Sequence, residues 1–201
     1  MTARLVISLL LFLLICSCQV NDRSTRAVSG TTTEPVQSSI GVPVPLPFDK
    51  VFPNRWNESN NGTPYEPCVA FSDAELRTFG VDPGEIRDVA EVDGQGTRGC
   101  GWLMPNKFGL GQVVTNSNSL AEYRRATDEV EWMPDLHLAN EKVGYFTLRY
   151  QHSTMCATYV QSFEAGVITQ ITSAPLPGPP NVDACKLVED FTRAYIDKIP
   201  G

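Results

Sequence analysis

The sequence contains few of the residues from which enzymes usually build active sites. Histidine occurs only twice among the 201 residues, at His137 and His152. The sequence has no Gly-x-Ser-x-Gly elbow, no His-Glu-x-x-His zinc motif and no Gly-x-x-x-x-Gly-Lys phosphate loop. We therefore predict no catalytic residue, no metal site and no cofactor.

Basic residues are also in the minority. The chain has 16 Lys and Arg against 23 Asp and Glu, a formal net charge of −7. Phosphate binding depends on clustered Lys and Arg, so this balance argues against a nucleic acid as partner. The same shortage removes electrostatic attraction to an anionic membrane surface.

Long hydrophobic runs are missing except at the start of the chain. Residues 5–15 are apolar apart from Ser8, and they follow the basic Arg4. This run is shorter than the roughly 20 apolar residues that a transmembrane helix needs. Its length and its position are typical of the hydrophobic region of a cleaved signal peptide.

A cysteine motif follows this run directly. Ile15-Cys16-Ser17-Cys18 resembles the bacterial lipobox, in which an aliphatic and a small residue precede the cysteine that receives a diacylglyceryl group. The signal peptidase then cuts just before that cysteine, and its narrow pocket requires a small residue there. Ser17, directly before Cys18, is small enough, whereas Ile15, directly before Cys16, is not. We therefore predict that residues 1–17 are removed and that Cys18 is the lipid anchor.

Lipidation of Cys18 would attach the chain to the outer face of the cell membrane, in the cell envelope. Two acyl chains give lasting attachment, whereas a single myristoyl chain binds only reversibly. Cleavage removes Arg4 and no acidic residue, so the formal net charge changes from −7 to −8. The alternative is an ordinary secretory signal in which both cysteines are incidental.

Residues 18–63 have the composition of a flexible tether. They are rich in Ser, Thr, Asn, Pro and Gly, as in segments 29–35 and 58–63, and cannot bury enough apolar surface to offset the entropy of ordering. Prolines alternate with other residues over 42–47, which favours an extended, fairly stiff chain. Four apolar residues are candidates for docking on the domain: Phe48, Val51, Phe52 and Trp56.

Residues 64–201 have the length of one ordinary domain and contain three helix signals. Ser72-Asp-Ala-Glu75 and Ser119-Leu-Ala-Glu122 are capping boxes that begin short helices. Behind Asp183, apolar residues recur at helical spacing, which predicts an amphipathic C-terminal helix. These residues are Ala184, Leu187, Val188, Phe191, Ala194 and Tyr195.

Between these helices the sequence predicts strands. Residues 142–151, 155–163 and 166–173 follow one another after short turns, so they are predicted to form an antiparallel meander. Earlier candidates are 86–92, 97–104 and 109–116. The meander turns are too short for parallel crossovers. The fold class is therefore α+β, an antiparallel sheet packed with helices.

Four cysteines lie in the predicted domain: Cys68, Cys100, Cys156 and Cys185. An even number in an exported chain indicates disulfides, and three pairings are possible. We favour Cys68–Cys100 and Cys156–Cys185, because each pair joins neighbours in sequence and ties a strand to a segment beside a helix. A zinc site or a redox-active pair is disfavoured, because the sequence has no Cys-x-x-Cys spacing.

With these cysteines in place, residues 64–199 resemble the four-cysteine lipoproteins of mycobacteria and nocardia-type actinobacteria, of the LprB/LprC type. The lipobox and the spacer are shared as well. Members commonly carry a larger polar residue where Gly101 stands here. The resemblance implies an envelope location, disulfides and the fold, but no activity, because the family's domain has no known function. It is carried by Pro67-Cys68, Ser72-Asp-Ala-Glu-Leu76, Gly99-Cys100-Gly101-Trp102, Cys156 and Asp183-Ala-Cys185.

Three functions fit these observations. The leading hypothesis is a non-catalytic binding or interaction domain, tethered outside the membrane, whose ligand is a lipid, a glycan or an envelope protein. An envelope hydrolase with an unrecognised site is the second. The third is a carrier of a hydrophobic ligand, which needs a larger cavity than a packed domain of this size usually leaves.

Overall fold

The protein folds as an antiparallel sheet with helices on both faces, which confirms the predicted α+β class. The computed structural model describes residues 45–104, 107–150, 153–173 and 182–201, and all of them belong to one compact unit. Cys18, the predicted signal peptide of residues 1–17 and the part of the predicted tether before residue 45 lie outside the described residues. In the described parts of the chain, no helix has the length and hydrophobicity to cross a bilayer.

Within the described ranges, eight strands form the sheet, and every strand pair is antiparallel. Their order across the sheet is β1-β2-β3-β8-β7-β6-β4, and β5 pairs with the first residues of β6. The predicted meander, β6-β7-β8, is confirmed. The strands are β1 (Ile86–Asp88), β2 (Arg98–Met104), β3 (Phe108–Asn116), β4 (Glu131–Trp132), β5 (Leu136–Leu138), β6 (Glu141–Tyr150), β7 (Ser153–Ser162) and β8 (Ala165–Ser173).

Three α-helices are described: α1 (Asp73–Thr78), α2 (Leu120–Ala126) and α3 (Ala184–Tyr195). Short 3₁₀ helices span Pro67–Val69, Pro83–Glu85 and Ile196–Lys198. All three predicted α-helices are therefore confirmed.

Side-chain caps explain where these helices begin. At α1, Ser72 Oγ accepts a bond from the Glu75 amide, and the Glu75 carboxylate accepts one from the Ser72 amide. At α3, the Asp183 carboxylate accepts bonds from the next turn. These bonds satisfy amide groups that have no partner within the helix. Gly80, at φ 71°, follows the end of α1.

One face of the sheet is covered by α1 and α3. Their contact is aromatic: the rings of Phe71, Phe79, Phe191 and Tyr195 pack with centroids 5.0 to 5.5 Å apart. The predicted apolar stripe of α3 is confirmed at its centre, where Val188 and Phe191 are fully buried. This face holds the largest cluster of the core.

The other face is covered in part by α2. Tyr123 of α2 packs over Tyr159 at 4.8 Å, and Trp132 packs over Phe146 at 4.7 Å. The sheet is therefore the middle layer of three, with a separate apolar cluster on each side.

Both predicted disulfides are present. Cys68 on the first 3₁₀ helix is bonded to Cys100 in β2, and Cys156 in β7 is bonded to Cys185 in α3. Their Cα atoms lie 5.2 and 4.9 Å apart, within the usual range for a disulfide. Each bond therefore fastens a strand of the sheet to a segment that packs on one face.

The described part of the expected tether, residues 45–63, packs on the domain. Phe48 is half-buried against the main core. The most deeply buried residues of this segment are polar: Arg55 is 3 % exposed, while Asn60 and Thr63 are 0 % exposed. The folded unit thus begins upstream of residue 64, because hydrogen bonds as well as apolar contacts hold this segment.

Candidate functional site

A buried ionic network holds residues 55–66 against β2. Arg98 is fully buried, and its guanidinium donates to the backbone carbonyls of Asn60, Thr63 and Tyr65 at 2.7 to 2.9 Å. The same guanidinium lies 3.6 Å from the ring centroid of Trp56. The Arg98 side chain of β2 therefore holds residues 56–65 in place at four points.

Arg55 and Arg98 converge on the carboxylate of Glu66. Arg55 Nη1 lies 2.9 Å from Glu66 Oε2, and Arg98 Nη1 lies 3.2 Å from the same oxygen. A second carboxylate, Asp88, pairs with Arg55 Nε at 2.9 Å. Burial lowers the pKa of Arg98 to about 10. Burial also acts to lower the pKa of Arg55, but Glu66 and Asp88 outweigh it and raise that pKa.

This network fixes one wall of a hollow that lies between residues 64–70 and residues 196–201. We call residues 196–201 the C-terminal segment and this cavity the larger hollow. Its volume is about 450 Å³. It is lined by Pro64, Tyr65, Glu66, Val69, Ala70, Asp197, Lys198 and Pro200.

A second cavity, the smaller hollow, lies beside the same segment and has a volume of about 310 Å³. Asp197 and Pro200 line both hollows, so the C-terminal segment lies between them. Ile199 packs against two separate apolar clusters and lines the smaller hollow. The other lining residues are Ala139, Glu141, Val160, Gln161, Ile196 and Gly201.

Polar contacts hold the C-terminal segment in place. Ser162 Oγ donates to the Pro200 carbonyl and shares a hydrogen bond of 2.7 Å with Thr63. Lys198 Nζ donates to the Ala70 carbonyl at 2.9 Å and forms an ion pair of 2.9 Å with Glu75. The segment therefore joins the upstream residues, α1 and the sheet.

The hairpin turns beside the smaller hollow have an unusual backbone. Ala139, Asn140 and Phe163 have φ values of 49°, 69° and 51°, and they are the non-glycine residues with positive φ in the described part of the chain. Left-handed backbone costs an L-residue with a Cβ about 1–2 kcal/mol. Ala139 lines the smaller hollow, as does Gln161, two residues before Phe163.

Gln161 holds the turn between β7 and β8 in this conformation. Its Nε2 donates to the carbonyls of Ser117, Phe163 and Ala165 at 2.8 to 3.2 Å, and its Oε1 accepts from Tyr159 at 2.6 Å. The turn also exchanges backbone hydrogen bonds with neighbouring segments through Glu164. Phe163 is held with its side chain 54 % exposed.

Charge distinguishes the two hollows. The smaller hollow has two charged lining residues, Glu141 and Asp197, and neither takes part in an ion pair within the described residues. In the larger hollow, Glu66 is paired with two arginines and Lys198 is paired with Glu75, while Asp197 lines this hollow as well. The smaller hollow therefore differs by one further unpaired carboxylate, Glu141.

The lining of the two hollows combines apolar walls with a few polar side chains. Across the described ranges, no three His, Cys, Asp or Glu side chains are grouped as metal ligands. Apolar walls with a few fixed polar groups are typical of a site that binds and orients a small group.

The sequence predicted the four domain cysteines as structural, and none of them is among the residues that line the two hollows. It did not predict the hollows. Positive φ at Ala139 and Phe163 has no sequence signal, because glycine is the usual residue at such positions. The pairing of distant acidic and basic residues around Glu66 also leaves no local pattern.

Comparison with known proteins identifies a family but no function. The family described as a protein of unknown function, DUF3558, matches residues 13–198. No curated protein matches the chain. Because the match covers most of the chain and nearly all of the described fold, the protein belongs to the DUF3558 family, whose function is unknown.

Proposed function

We propose that this protein is a cell-envelope lipoprotein that displays a non-catalytic binding domain on the outer face of the cell membrane. A diacylglyceryl group on Cys18 would be its membrane contact. The ligand of the domain would be an envelope protein, a lipid or a glycan.

Sequence and structure support the export part of this proposal. The lipobox-like Ile15-Cys16-Ser17-Cys18 follows a short hydrophobic run. Both disulfides of the domain are of the kind that persists in oxidising compartments. A cytosolic location would keep these thiols reduced.

The observation that carries the binding part is the pair of hollows around the C-terminal segment. Strained backbone persists only where the surrounding structure imposes it, and it is found preferentially at functional sites. Here Ala139 and Phe163 lie in the turns that border the smaller hollow. All three residues with this backbone lie in the turns between β5 and β6 and between β7 and β8, at one end of the sheet.

We further propose that the chain comes from an actinobacterium and is similar to the LprB/LprC-type lipoproteins. The support is the order of motifs around Cys68, Cys100, Cys156 and Cys185. Gly101 is compatible with this assignment. A Cβ at Gly101 would have its nearest neighbour at 3.6 Å, so a residue with a Cβ can stand there without a clash at that atom.

The anchor is tested by expressing the full chain in an actinobacterial host with an alkyne-labelled fatty acid. We expect label in the membrane fraction for the native chain and for Cys16→Ser. We expect no label for Cys18→Ser. Label that persists in Cys18→Ser, or that is lost in Cys16→Ser, would contradict the assignment of Cys18.

The binding role is tested by native mass spectrometry of the protein extracted from its own envelope. A discrete added mass that survives mild activation would identify the ligand class. Variants that fill a hollow, such as Ala70→Trp for the larger one, should lose that mass. A bare polypeptide that also captures no partner after crosslinking in cells would count against a binding function.

A carrier of a hydrophobic ligand is a second candidate, favoured by the larger hollow. Val69 is 37 % exposed at its wall, and Pro64, Ala70 and Pro200 extend the apolar surface. A cavity of about 450 Å³ is within the usual range for a small ligand. An added mass equal to that of a lipid, released by organic extraction, would select this candidate.

A further inference from the structure

We draw no further inference here: the strongest candidate, the uncharged row that Leu103, Gly109, Thr172, Met155 and Leu148 form across five strands on the face of the sheet partly covered by α2, carries no proposal, because nothing in the described part of the chain shows what covers it.

Discussion

Arg55 and Glu66 form a two-point ion pair in the interior of the protein. Arg55 Nη1 lies 2.9 Å from Glu66 Oε2, and Arg55 Nη2 lies 3.1 Å from Oε1. The two side chains are 3 % and 4 % exposed. Arg98 contacts the same carboxylate at 3.2 Å, and Asp88 pairs with Arg55. The two buried guanidinium groups are therefore balanced by two carboxylates, of which Glu66 contacts both.

Glu66→Gln should therefore destabilise the fold strongly. Removing one partner of a buried ion pair typically costs about 3–5 kcal/mol, because the remaining charge stays in the interior without compensation. Urea unfolding followed by far-UV circular dichroism measures this loss. Glu58→Gln, at an exposed position of the same segment, is the matched control and should shift the midpoint little. Equal midpoints for the two variants would contradict a stabilising role for the network.

Two glycines of the same strand should respond in opposite ways to alanine. Gly99 has φ 154°, and a Cβ there would lie 2.1 Å from the Gln112 carbonyl oxygen. A Cβ at Gly101 would have its nearest neighbour, the Leu110 carbonyl oxygen, at 3.6 Å, an ordinary van der Waals contact. We expect Gly99→Ala to lower the free energy of unfolding by about 3 kcal/mol or more. Gly101→Ala should raise it by roughly 0.5–1 kcal/mol, because alanine loses less backbone entropy on folding. Similar effects at both positions would show that the close approach of Gly99 to the Gln112 backbone is not required.

The strain at Phe163 can be measured by comparing Phe163→Gly with Phe163→Ala. Both variants remove the ring, but only glycine adopts the left-handed backbone of 51° without strain. The glycine variant should be more stable than the alanine variant by about 1 kcal/mol in thermal or urea unfolding. A more stable alanine variant would mean that the turn relaxes to another conformation and carries no strain.

Glu75 should make stability depend on pH below the ordinary range of a carboxyl group. Its hydrogen bond to Lys198, followed by those to the Ser72 amide and hydroxyl, lowers its pKa from 4.5 to about 2. A lowered pKa in the folded state stabilises the protein above the pKa of the unfolded state. The contribution declines as pH falls from about 4.5 and is lost below about 2.

Carboxyl-carbon NMR titration checks this value residue by residue. Lys198→Met should move the pKa of Glu75 upwards, because it removes the largest cause of the shift. Replacing Lys186, which pairs with Asp190 on α3, is the control and should leave Glu75 unchanged. A Glu75 midpoint near 4.5 in the native chain would show that the Lys198 contact does not persist in solution.

Most of the regular structure could be predicted because local signals and tertiary contacts agree. The capping box at Ser72 and the apolar stripe behind Asp183 both mark real helices. A two-residue turn joins β7 and β8 of the meander and brings them into an antiparallel pair. At these places the chain needs no distant residue to specify its conformation.

Strands β4 and β5 were not predicted, because local sequence signals are absent there. β4 and β5 are two and three residues long and have no alternation to detect. Tertiary contacts hold them: Asp135 between them pairs with Arg124 of α2 and with Lys142 of β6, the latter at 3.0 Å. Arg124 also lies 4.6 Å from the ring centroid of Trp132. None of these pairings can be read from the segment itself.

Two further features depend on distant contacts in the same way. Residues 45–63 were expected to belong to a flexible tether but pack on the domain, and the two hollows were not predicted. Composition predicts flexibility for residues 45–63, because it counts apolar area and not buried hydrogen bonds. Arg98 supplies those bonds from a strand more than 30 residues away. The hollows depend on where the C-terminal segment crosses the sheet, and that is decided by the tertiary fold alone.

The bond between Cys68 and Cys100 has a mechanical consequence for a domain held by its N-terminal side. A pull on the chain ahead of residue 45 acts first on the segment that Arg55 and Arg98 secure. If that segment peels away, the displacement stops at Cys68, because its covalent bond passes the load directly into β2. Under such a load the ion pairs around Glu66 would break first and could form again. The covalent bond from Cys68 to Cys100 would hold, so the tension would not reach the rest of the sheet or the hollows.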